Sequence, residues 1–138
     1  MSNTTILGAF NKHFADFVND IETIFPDNKG IRGGKMALMT VKKVNPRIIV
    51  QGWKYYVADK YRDDIMSGNA ELFIEKDYTE DVLSSKHPKM HVCLRHIDNI
   101  RDSVRNMGEE NKKKSIEYMQ NLTKLCDLYY SEKNNRLV

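Results

Sequence analysis

An all-α fold, a compact single domain of five to six helices over residues 1–138, is what this sequence predicts, and three observations predict it. Apolar side chains recur at steps of three and four along both terminal segments, the period of an amphipathic helix. Capping and breaking residues (Pro26, Asn45-Pro46, Ser67-Gly68-Asn69, Pro88) divide the chain at helix-length intervals. With 41% apolar and 30% charged residues but only 7 Gly and 3 Pro, the composition excludes a disordered chain and a fibrous repeat. At this length the chain can bury roughly two-thirds of its unfolded surface and needs no staples.

The first helix is predicted from Thr4 to Phe25, where Leu7, Phe10, Phe14, Phe17, Ile21 and Ile24 form a seam with Ile6, Val18 and Phe25 beside it. Ser2, Asn3 and Thr4 offer caps, and Pro26-Asp27-Asn28 ends it, because the residue before proline is pushed from the α region. Asp27 to Gly34 reads as a loop. Its glycines Gly30, Gly33 and Gly34 beside Lys29, Arg32 and Lys35 invite a phosphate cradle, but the spacing of a phosphate loop is missing and the segment follows a helix rather than a strand. A helix from Arg32 or Gly34 to Val44 follows, drawing on Ile31, Met36, Leu38, Met39, Val41 and Val44. Asn45 as N-cap and Pro46 as first helical residue then open a helix from Arg47 to Met66, with an apolar face of Ile49, Trp53, Tyr56, Val57, Tyr61 and Ile65. Gly52 inside it marks a close helix crossing. Trp53 reads first as a core anchor and otherwise, with Tyr55, as part of a partner-binding patch.

Ala70 to Lys76 supplies one or two helical turns. The acidic run Asp77 to Asp81 has the charge for a hard cation but not the spacing of a calcium loop, and Thr79-Glu80-Asp81 suits a helix start. Val82 to His87 is connection. Pro88 opens a helix to Met107 whose inner face combines Val92 or Cys93 with Leu94, Ile97, Ile100, Val104 and Met107. Gly108 caps the last helix, which runs to Lys133 with Ile116, Met119, Leu122, Cys126 and Tyr129 on its face and a frayed tail over 132–138.

Chemistry-bearing clusters are sparse. His87, His91, Cys93 and His96 have zinc's preferred donors, yet His91 and His96 lie about 140° apart on a helical wheel; Cys93 and His96, which Cys126 could approach from a neighbouring helix, remain as the metal candidates, and polar helix surface with a buried thiol is the better account, so no metal is expected. No serine or cysteine stands beside an identifiable base, so no catalytic residue and no cofactor is expected. Cations group on Arg95, Arg101 and Arg105, on Lys112, Lys113 and Lys114, and on Lys54, Lys60 and Arg62 among Tyr55, Tyr56 and Tyr61. Arg101, Arg105 and the three lysines are therefore the residues on which a nucleic-acid-binding reading rests. Acidic neighbours dilute each group, and the net charge of +3 permits an anionic partner without demanding one. No apolar run is long enough to span a bilayer and no leader segment is recognisable, and the two thiols lack a disulfide framework, which together read as an intracellular chain.

Four stretches, FNKHFADFVNDIETIFPDNKGI, VNPRIIVQGWKYYV, NAELFIEKDY and IRDSVRNMGEENKKKSIEYMQNLTKLCDLYY, resemble small proteins encoded by large nucleocytoplasmic DNA viruses, the giant viruses of algae and protists. The resemblance covers most of the chain through helix-framing residues. It implies a viral origin, a compact α fold and a setting in the virion or the infected cell; it implies no activity. The function expected is a non-enzymatic protein-interaction or structural module with a protein partner, with homo-oligomerisation open and no membrane; the alternative is a nucleic-acid-binding accessory protein.

Overall fold

The computed structural model describes residues 2–76 and 88–136 of the chain. They form an all-α bundle with no strand among the described residues. Helix α1 spans Asn3–Ile24, capped by Ser2, whose hydroxyl accepts from the Thr5 amide at 3.2 Å. Helix α2 spans Lys29–Val44. A central rod is built from α3 (Ile48–Trp53), a π-helical turn (Lys54–Ala58) and α4 (Asp59–Met66). A short α5 (Glu71–Glu75), then α6 (Pro88–Arg105) and α7 (Glu109–Arg136) complete the described chain. The backbone of α7 is helical to Arg136. The acidic run 77–81 and His87 lie outside the described residues.

Two antiparallel pairs enclose the rod. In the first, α1 packs on α7: Asn3 Nδ2 donates to the Tyr129 carbonyl at 3.0 Å, Phe17 stacks on Tyr118 at 5.0 Å, and the Tyr118 hydroxyl donates to Asp20 at 2.6 Å. In the second, α2 packs on α6, with Asn28 against Ser103, the Asn99 amide donating to the Gly30 carbonyl at 3.2 Å, and His96 against Gly34. Helix α3 touches all four of these helices. Its residues Ile48, Ile49, Val50, Gly52 and Trp53 are all buried, as expected of a helix apolar on every side. Trp53 is fully enclosed, edge-on to Phe14 at 6.5 Å, with its indole N–H satisfied by the Thr123 hydroxyl at 3.1 Å.

The π turn has a cause legible in the residue spacing. Ile49, Trp53, Val57, Tyr61 and Ile65 recur every four residues. On a helix of about 100° per residue each such step overshoots a full turn by about 40°, or about 160° over the series. A π turn absorbs one residue without advancing the face, so Trp53, Val57, Ala58 and Ile65 all remain inside. The rod ends on Gly68 at φ 88°, where the Asn69 amide reaches the Asp64 carbonyl at 2.8 Å and the Gly68 amide the Ile65 carbonyl at 3.0 Å. That pair of bonds closes the helix end with a left-handed glycine.

Two boundaries differ from the sequence reading. Residues 29–34 are helix, not loop, because the Asn28 side chain accepts from the Ile31 amide at 3.1 Å and starts α2 three residues before Arg32 and five before Gly34, the two starts expected. Asn45 closes α2 rather than capping α3: its amide bonds the Val41 carbonyl at 2.9 Å, while its side chain accepts from the Arg47 amide across the turn at Pro46. Gly52 behaves as expected at a close crossing, since a Cβ there would lie 2.8 Å from Cys93 Sγ.

Candidate docking groove

Helix α2 carries Lys29, Arg32, Lys35, Lys42 and Lys43 and no carboxylate, a charge density found on no other described element. Its inward face is narrow. Ile31 and Leu38 are buried, and Gly30 and Gly34, one turn apart, let α6 approach so closely that a Cβ at Gly34 would sit 2.4 Å from His96 Nδ1. Because two of its turns are sealed by glycine rather than by apolar bulk, α2 turns Met36 and Met39 outward, 67% and 50% exposed, together with Val44.

Between α1 and α2 runs an open cleft of about 240 Å³. Helix α1 contributes Asn11, Phe14, Ala15, Val18 and Asn19, a stripe at helical spacing; α2 contributes Lys35, Leu38, Met39 and Lys42. The lining thus runs from Asn11 to Asn19 on α1 and from Lys35 to Lys42 on α2, separations of eight and seven residues or roughly 10–12 Å along each axis at 1.5 Å per residue, which is the shape of a groove rather than a pit. Ile49 and His96 close the floor, and no lining residue is acidic. The groove's ends are pinned: Asn11 Nδ2 donates to the Pro46 carbonyl at 3.0 Å, and Lys35 pairs loosely with Glu22 at 3.6 Å. Lys42 and Lys43 have no carboxylate partner among the described residues.

His96 is 1% exposed, and its Nδ1, like Asn11 Oδ1, is buried without a hydrogen-bond partner. Burial lowers its pKa from 6.5 to about 4, so at neutral pH it lies under the groove as an uncharged ring, edge-on to Phe14 at 6.0 Å. The positive character of the groove therefore comes from its lysine rim alone.

Of the candidate site residues singled out from sequence, His96 lines the groove; the others fall elsewhere, and most are already occupied. Cys93 and His96 sit one turn apart but face different helices: the Cys93 thiol points at the Ile48 carbonyl (3.7 Å) beside Gly52, His96 abuts Gly34, and Cys126 points at the Val50 carbonyl (3.8 Å). The three side chains thus point at different neighbours, no group of three or more His, Cys, Asp or Glu that could hold a metal ion occurs among the described residues, and burial pushes both thiols up to about 12. Arg101, offered as a phosphate contact, is only 6% exposed; its guanidinium donates to Asp98 at 3.0 Å and to the Ile74 carbonyl at 2.9 Å, closing the C-terminal end of α5. Arg105 is exposed but pairs with Asp102 at 2.6 Å. Lys112, Lys113 and Lys114 share the first turns of α7 with Glu109 and Glu110. Trp53, enclosed on all sides, is core and offers a partner nothing. Tyr55 is exposed on the π turn, where Lys54 lies 5.8 Å above its ring and 5.3 Å above Tyr130, and also pairs with Asp59 at 2.8 Å. Arg62 grips Asp127 through two bonds of 2.8 and 3.1 Å. The cations interleaved with tyrosine are thus held by the protein itself.

No protein family, curated protein or solved structure matches the chain. Among the described residues, no helix is long and apolar enough to cross a membrane.

Proposed function

We propose that this protein is a non-enzymatic docking module and that the α1/α2 groove is where a partner protein engages it. The observation that carries the reading is Met36 and Met39, half or more exposed, standing beside a two-turn apolar cleft on a helix that carries five positive charges and no carboxylate. Exposed methionine is a soft contact that adapts to a partner, and a cleft of this size takes one large side chain as an anchor. The virion or infected cell implied by the viral resemblance remains the proposed setting.

Site-specific photo-crosslinking tests the reading. A benzophenone side chain placed at Met39 should trap a defined protein adduct that Ala15→Trp, filling the groove from its exposed α1 wall, suppresses; the same probe at Leu128, an exposed apolar residue on α7, should not. No adduct at Met39, or an equal adduct at Leu128, overturns it. Nucleic acid is the other class of occupant for a basic helix. Its signature, salt-sensitive retardation of an oligonucleotide lost in Lys42→Glu/Lys43→Glu but untouched by Ala15→Trp, would replace the docking reading with the alternative.

A further inference from the structure

The groove's dimensions and charges specify its occupant more narrowly, and we infer, resting on the docking reading above, that it receives an acidic amphipathic helix whose carboxylates lie seven residues apart on either side of one large apolar anchor. Lys35 and Lys42 are seven residues apart on α2, both line the cleft, and Leu38 and Met39 lie between them. Seven residues rise about 10.5 Å on any α-helix, so a helix lying along α2, in either direction, places residues i and i+7 opposite the two lysines and residue i+3 or i+4 over the apolar middle. The wall from α1 matches this length, with Asn11 and Asn19 eight residues apart at its ends and Ala15, small and exposed, at its centre where the anchor enters.

Charge selects the sign of the partner. No carboxylate lines the cleft and none lies on α2; the nearest acidic side chain bonded to it, Glu22, holds Lys35 at 3.6 Å with both partners about one-third exposed, a pair that an incoming carboxylate can displace. Lys42 and Lys43 are unopposed among the described residues, so a basic or neutral helix would meet uncompensated repulsion or gain nothing at the rim. His96 adds no charge at the floor above a pH of about 4, which leaves the middle of the groove suited to an uncharged anchor.

A displayed library of random 16-residue peptides, panned on the full chain and counter-selected on Ala15→Trp, reads this out. The expected result is enrichment of sequences with Asp or Glu at i and i+7 and a Leu, Phe, Met or Trp at i+3 or i+4. Their synthetic versions should lose about tenfold in affinity on Lys35→Glu or Lys42→Glu, and regain it when the facing carboxylate is changed to lysine. Groove-dependent peptides without the paired carboxylates overturn this inference and leave the docking reading standing. Acidic peptides that bind Ala15→Trp as well as the parent chain overturn it by reducing the interaction to general charge attraction. Absence of any groove-dependent peptide removes the helix-docking assignment, and absence of the Met39 adduct as well removes the docking reading. Circular dichroism of Ala15→Trp, which alters an exposed position, confirms that a loss is local.

Discussion

Gly33 and Gly34 are adjacent in sequence, share one helix, and should respond to alanine with opposite signs. At Gly33 no atom lies within 4 Å of an added Cβ, so Gly33→Ala gains only the helix-propensity and unfolded-state terms and should stabilise the protein by about 0.5–1 kcal/mol. At Gly34 the same backbone gain meets His96, whose Nδ1, Cε1 and Cγ would lie 2.4, 3.1 and 3.2 Å from the new methyl. The ring cannot retreat, being almost fully buried with Phe14 against it at 6.0 Å. Overpacking of this kind costs about 1–3 kcal/mol, which outweighs the propensity gain at all but the bottom of its range and separates the two variants by that amount. Removing the obstacle should reverse the sign: in a His96→Ala background, Gly34→Ala should stabilise about as much as Gly33→Ala, a coupling of about 1–3 kcal/mol between positions 34 and 96. Urea unfolding of the four proteins, with midpoints compared at a common slope, measures all of it. Equal shifts for Gly33→Ala and Gly34→Ala, or a coupling near zero, would show that α2 and α6 do not meet through Gly34, and the placement of the lysine rim would fall with it.

Three further outcomes follow from buried or engaged groups. Thr123→Val keeps the shape of the side chain but leaves the Trp53 N–H buried without its acceptor, now at 3.1 Å, and should cost about 1–3 kcal/mol in thermal or urea unfolding; a cost near zero would mean that the indole finds another partner. His96, with its pKa lowered to about 4 in the fold against 6.5 when unfolded, contributes no pH dependence above about 6.5; between 6.5 and 4 the unfolded chain takes up a proton that the native chain refuses, so stability falls with acidification. By pH 5 this group alone should remove about 2 kcal/mol relative to pH 7, so the slope over that window should flatten in His96→Gln, and an unchanged slope would refute the buried neutral imidazole. Arg101→Lys retains charge but not the fork that reaches Asp98 and the Ile74 carbonyl, and should speed amide exchange in α5 while leaving α1 and α7 protected; uniform loss of protection would contradict a local capping role.

The long helices were legible because Phe10, Phe14, Phe17 and Ile21 on α1, and Met119, Leu122, Cys126 and Tyr129 on α7, repeat at the helical period and are all buried. The inner face expected of α6, with Cys93 as the alternative to Val92, is likewise buried. The start of α2 was not, because glycine signals both a loop and a close helix crossing, and only the partner distinguishes them: Gly30 and Gly34 have the one-turn spacing of a crossing, but Asn99 and His96 lie more than sixty residues away in sequence. The basic helix could have been read from its composition, since Lys29 to Lys43 contains no acidic residue, but assigning the first six of its residues to a loop split the run in two. Arg101 shows the opposite limit. Counting cations by neighbourhood cannot reveal which of them turns inward to hold a carbonyl: Arg101 and Arg105, one turn apart, each pair with the aspartate three residues before them, but Arg101 is buried and also donates to the Ile74 carbonyl.

The most direct test of the docking account is a titration of isotope-labelled protein with a groove-selected acidic peptide, following backbone amide shifts residue by residue. The account predicts that the largest shifts trace two lines, Asn11 to Asn19 on α1 and Lys35 to Lys43 on α2, with Lys112 to Lys114 on α7 unmoved. Shifts centred on the start of α7 or on Arg105, with the α1/α2 lines silent, would contradict it.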